Sequence, residues 1–131
     1  ADAPAARRLL GRDPTGTVGY LLAQQGRIAR QLGELDLAAD HYAVAARVAR
    51  WVHDDELTGR TLLGLGVLAN MRGNYPEARA RFAAVLRRAT ARDHTEFVRA
   101  AHHGLLHAAL AAGDADAALI HGWAALQGME Q

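Results

Sequence analysis

No cysteine occurs in the 131-residue chain, which excludes disulfides, thiolate metal sites and a cysteine nucleophile and leaves the redox compartment unmarked. Lysine is absent too, so all 15 basic residues are arginine. Only 5% of residues are aromatic although half are hydrophobic, so any core must be built from alanine, leucine and valine. With just 3 prolines, long stretches are free of helix breakers, and the Ala, Leu, Arg and Glu that fill them favour helix. Threonine and valine are too scattered to suggest strands. No apolar run approaches the roughly 20 residues that span a bilayer. The opening ADAPAARRLLGRDP has no apolar stretch of the kind that marks a secretion signal. A soluble, cytoplasmic protein is the expectation. Charge of one sign is also missing: the formal net charge is +1, which gives no general field for nucleic acid.

What is present is a period. A chain of this length suits one domain or a short repeat array. Sliding the sequence by 40 superimposes three ungapped units in which Gly33, Gly73 and Gly113 coincide, as do Ala38, Ala78 and Ala118, and Ala29, Ala69 and Ala109. Gly26 meets Gly66, Tyr42 meets Phe82, and Leu65 meets Leu105. Each unit reads as two helices. Val98, Ala101, Leu105, Ala108 and Ala112 follow the 3–4 rhythm of a first helix. Ala38, Tyr42, Ala45, Val48 and Val52 form the stripe of a second, repeated by Ala78, Phe82, Val85 and Ala89. The shared glycine sits where a left-handed residue ends the first helix, and Pro76 fits the first turn of the next. Starts are marked by Asp13 before Pro14, by Asp54–Glu56, and by Asp93 with Glu96 three residues on. The small residues predict close packing, with Gly26 or Gly66 facing Ala38 or Ala78 and the ring of Tyr42 or Phe82 filling the space between successive hairpins.

Glycine in the first helix, glycine at the turn, alanine five residues on and an aromatic four later resembles the tetratricopeptide repeat, over about residues 17–131. The usual period is ~34 residues. The longer period here, and phrases such as RRATARDHTEFVRAAHHGLLHAALAAGD, resemble the repeat arrays of bacterial multidomain transcription regulators and signalling ATPases. The expected fold is all-α, a right-handed α-solenoid of three hairpins (14–53, 54–93 and 94–131). A remnant second helix over 1–13 is expected before them, because Arg7, Arg8, Arg12 and Asp13 shift by 80 onto Arg87, Arg88, Arg92 and Asp93. An array cut at both ends implies either a piece of a longer protein or ends covered by self-association. In the third unit Gly122 stands where Tyr42 and Phe82 stand. Trp123 beside it either supplies the missing bulk or joins Met129 in an exposed apolar edge that meets a neighbour.

The resemblance implies a groove along the first helices that takes up a peptide or partner helix. Carried over, its residues are Tyr20, Ala23, Gln24, Arg27, Arg30 and Gln31, then Arg60, Leu63, Val67, Asn70 and Met71, then His103, His107 and Leu110. Arg27, Val67 and His107 stand where chaperone-binding members carry an asparagine, so chaperone tails are not the expected ligand. Guanidinium forks at Arg27, Arg30 and Arg60 around Leu63, Val67 and Met71 suit an acidic, amphipathic protein or peptide partner. The alternatives are a homodimer formed through uncapped ends and a small-molecule or metal sensor using the His103/His107 side. HHGLLH lacks the glutamate of the zinc-peptidase motif, and ordinary surface histidines are expected. GLG (Gly64–Gly66) lies in a helical stretch with no strand before it, so a packing role is expected rather than a phosphate loop. Arg47, Arg50, Arg79, Arg81, Arg87, Arg88 and Arg92 are expected on a solvated outer face. No nucleophile and base, no carboxylate pair, no metal site and no cofactor is expected; the chain does not read as an enzyme.

Overall fold

A computed structural model describes residues 15–92 and 94–130, without the side chains of 89–92 and 128–130. Within them lie six α-helices: α1 (Thr15–Gln31), α2 (Leu35–Val52), α3 (Asp55–Met71), α4 (Tyr75–Arg92), α5 (Thr95–Ala112) and α6 (Ala115–Glu130). No strand is present among the described residues. Consecutive helices pack in antiparallel hairpins, and α1 touches α3 as α3 touches α5, so the first helices lie side by side. The expected remnant helix, the cap at Asp13 and the edge at Met129 fall outside what is described.

The turns inside the hairpins follow one design. Gly33, Gly73 and Gly113 have φ of 81°, 75° and 76°. Nothing lies within 4 Å of where a Cβ would sit at any of them, so the backbone rather than space requires glycine. The N–H of Gly33 donates to the Arg30 carbonyl at 3.0 Å and that of Glu34 to Ala29 at 2.8 Å, the paired bonds of a Schellman cap. Gly73 and Asn74 repeat this on Asn70 and Ala69, and Gly113 and Asp114 on Leu110 and Ala109. The recurring Ala29, Ala69 and Ala109 therefore supply the carbonyls that close the first helices. Between the first two hairpins the left-handed residue is His53, with φ 56°.

Helix starts are more varied than the repeat suggests. Asp54 caps α3 as expected, accepting from Leu57 N at 3.0 Å. Asn74 accepts from Glu77 N and donates to the Glu77 carboxylate before α4, while Asp114 accepts from Ala117 N before α6. The cap expected at Asp93 also lies outside the described residues. The fifth helix begins at Thr95 with His94 before it, which makes no side-chain cap bond, and the His94 ring meets Phe97 edge-on.

The core departs from the expected Gly–Ala contact in an informative way. A Cβ on Gly26 would meet the Tyr42 ring at 3.1 Å, and one on Gly64 would lie 2.3 Å from Tyr42 Cζ. Likewise a Cβ on Gly66 would come within 2.8 Å of Phe82, and one on Gly104 within 2.2 Å. Each ring is thus held between a glycine of its own hairpin and a glycine of the next. Tyr42 and Phe82 are almost wholly buried, with Ala38 and Ala78 fully buried alongside. A further pair sharing the 40-residue spacing went unread: Gly19 admits Leu57, and Gly59 admits Phe97, again across successive hairpins.

The third unit inverts the pattern. Leu106 occupies the register of Gly26 and Gly66, and Gly122 that of the two rings. A Cβ on Gly122 would touch Leu106 Cδ1 at 3.6 Å, an ordinary contact. Leu106, not Trp123, therefore supplies the bulk within this hairpin, and Trp123 stays 64% exposed.

Candidate functional site

A cleft of about 560 Å³ opens along the first helices. Tyr20, Ala23, Gln24, Arg27 and Arg30 come from α1, while Arg60, Leu63, Gly64 and Val67 come from α3. Phe97 and Ala100 close it from α5, and the rings of Tyr42 and Phe82 reach its floor from the second helices. The glycines that admit those rings are therefore also what shape the cleft.

Its electrostatics are set by three arginines, each in a different state. Arg60 donates to the Glu56 carboxylate at 3.1 Å, one turn back on α3. Arg27 and Arg30 form no ion pair among the described residues. The Arg30 Nε is buried and has no hydrogen-bond partner, a group that gains by receiving an acceptor. At the rim, the Tyr20 hydroxyl donates to Asp54 at 3.1 Å and to Glu56 at 3.4 Å. Burial first, then the bond to Asp54 and the neighbouring carboxylates, push its pKa well above the usual tyrosine value, so it stays a donor. Asp54 accepts from both Tyr20 and Leu57 N, so the rim of the cleft is tied to the cap of α3.

Eight of the residues named from sequence share this cleft: Tyr20, Ala23, Gln24, Arg27, Arg30, Arg60, Leu63 and Val67. Six do not line it. Gln31, Met71, His103, His107 and Leu110 are exposed beyond its walls. Asn70 is buried, its Nδ2 donating to the Gly104 carbonyl at 3.1 Å, and so ties α3 to α5 rather than facing a ligand. Asn70 shares the register of Arg30, and this position leans toward the next hairpin. Tyr42, Phe82 and Phe97 line the cleft without having been named for it. The pairing of Gly64 with Gly104 and of Gly19 with Gly59 was the available signal.

Other candidates resolve differently. Gly64–Gly66 lies inside α3 with both glycines against rings. Among the described residues no group of three or more His, Cys, Asp or Glu comes together to hold a metal ion. The histidines that do meet are His102 and His121, with Nδ1 atoms 2.9 Å apart across the α5/α6 hairpin. Burial, then the neighbouring His121, hold the His102 pKa below its ordinary value. A second cleft lies between α2 and α4 over α3, lined by Arg50, Arg81, Arg87 and Arg88 with Asp55, two threonines, Leu62, Leu65 and alanines. Arg81 pairs with Glu77 and Arg88 with Asp55, and the floor offers no aromatic anchor. No described helix is long and apolar enough to cross a membrane.

A family model described as tetratricopeptide repeat matches residues 17–91, the first two hairpins. No curated protein and no solved structure matches the chain.

Proposed function

Because the chain belongs to the tetratricopeptide repeat family, whose repeats generally mediate protein–protein interactions, we propose that the first-helix cleft binds an acidic, amphipathic peptide or partner helix. The observation that carries this is the uncommitted charge over an apolar wall. Among the described residues Arg27 and Arg30 have no carboxylate partner and the buried Arg30 Nε has no acceptor, while Leu63, Val67 and Phe97 lie within reach. Carboxylates on one turn of a bound helix answer the guanidinium groups, and leucines on the next turn cover the wall. Repeats 14–53, 54–93 and 94–131 act as one interaction domain that performs no chemistry of its own and needs no cofactor. Likeness of Arg87–Asp114 to the arrays of bacterial regulators supports a sensory or transcription-regulatory role in a larger cytoplasmic protein, with protein rather than nucleic acid as the direct partner.

The test is binding of a labelled helical peptide with glutamates and leucines on one face, set against the same peptide with lysine for glutamate. The acidic peptide is expected to bind, more weakly as salt rises. Arg27→Glu together with Arg60→Glu should lower affinity at least about tenfold with helicity retained, from loss of charge-assisted bonds. Equal binding of both peptides, or undiminished binding by the double variant, would remove the cleft from consideration.

A further inference from the structure

The last described helix exposes large apolar side chains at three registers where its repeat equivalents carry alanine, aspartate or arginine, with Leu126 beside them. Leu119, Ile120, Trp123 and Leu126 are exposed by 73, 66, 64 and 51%. At the first three of these registers α4 has Arg79, Ala80 and Ala83, and α2 has Ala39, Asp40 and Ala43. In α2 and α4, each followed by a further hairpin, Asp40, Ala43, Arg79 and Ala80 are still exposed, and Ala39 and Ala83 are half-buried. A further hairpin stacked in the same manner would therefore leave Leu119 and Ile120 in water. The residue that joins one hairpin to the next, Tyr42 or Phe82, is also replaced here by Gly122. The stripe is thus built for a partner arriving from the side.

We propose that this partner is a second copy of the chain, paired antiparallel through α6 about a two-fold axis at Trp123. Three features select a copy. First, from Ala117 to Gln127 the helix has no Asp, Glu or Arg, so nothing charged on it repels or selects a partner, whereas α4 carries Glu77 and a series of arginines. Second, the stripe is balanced about Trp123, with Leu119 and Ile120 toward one end and Leu126 toward the other. Antiparallel pairing sets Ile120 of one copy against Leu126 of the other, the self-complementarity an isologous interface needs. Third, the area suffices. Covering these four side chains removes roughly 500 Å² per copy, with Trp123 the largest share, and about 1,000 Å² for the pair, where specific interfaces begin. The cleft on the first helices stays open in such a dimer, because it is formed by α1, α3 and the near part of α5.

Sedimentation equilibrium of the whole chain over a range of concentrations tests this. The expected result is reversible growth from the 14.0 kDa monomer to twice that mass. Trp123→Asp should weaken pairing about 100-fold or more, since a buried central tryptophan counts once in each copy. Ile120→Lys should weaken it less, and neither should alter helicity, because both side chains are exposed in the monomer. A chain that stays monomeric up to about 100 µM overturns the proposal. So does a dimer unchanged by either substitution.

Discussion

Gly104→Ala isolates the contact on which the stacking of the hairpins rests. In a helix interior alanine is ordinarily better than glycine by up to about 1 kcal/mol. Here the added methyl would sit 2.2 Å from Phe82 Cζ and 2.5 Å from both Cε atoms. Comfortable carbon contacts begin near 3.5 Å, so the ring must retreat by about 1.3 Å. It has little room to do so, because Phe82 is fully buried and backs onto Gly66, where a Cβ would already lie at 2.8 Å. Overpacking of this kind costs roughly 1–3 kcal/mol. Against the propensity gain, the expected net is a loss of about 1–2 kcal/mol and a fall of several degrees in Tm. Urea and thermal unfolding followed by far-UV circular dichroism would measure it. The control is Gly122→Ala, the same change on a helix where the new methyl meets only Leu106 at 3.6 Å; it should stabilise by a few tenths to about 1 kcal/mol. In a Phe82→Leu background, which removes the clashing ring atoms, the penalty of Gly104→Ala should largely vanish, a coupling of at least about 1 kcal/mol. If Gly104→Ala is as stable as the parent, or if its cost is the same with leucine at 82, the ring is not a wedge and the stacking mechanism is wrong.

Two further outcomes are expected. His53→Gly should raise stability by about 1 kcal/mol, because His53 holds φ 56° at a cost glycine does not bear; no gain on denaturant titration would argue against that backbone conformation. Stability should also fall as pH drops from 7 toward 5. The folded-state pKa of His102 lies below its unfolded value, so its contribution is complete above the unfolded pKa and is lost as pH falls through the folded one. His102→Leu, which installs the residue found in register at Leu22 and Leu62, should flatten this part of the pH–stability profile if the meeting with His121 is its source.

Much of the architecture is legible because it is local. The left-handed turns at Gly33, Gly73 and Gly113, the apolar stripes of α2, α4 and α5 and the cap at Asp54 each depend on residues within a turn or two. The cleft was legible in part, since the resemblance to tetratricopeptide repeats pointed to Arg27, Arg30 and Arg60 on the first helices. Asn70 lay in the same register yet turned inward, because a short amide can reach the Gly104 carbonyl across the hairpin boundary. The aromatic floor was missed for a related reason: Tyr42 and Phe82 reach the cleft only through gaps left by glycines on other helices.

By itself the sequence determined the six helices found among the described residues, their pairing into hairpins and the 40-residue step between them, since periodicity and turn chemistry act along the chain. Only the tertiary structure decided which glycine receives which ring, that Leu106 and Gly122 exchange bulk in the last hairpin, and that the histidines that meet are His102 and His121 rather than His103 and His107. Each of these is a contact between separate helices, fixed by close packing in three dimensions, and no spacing along one helix contains it.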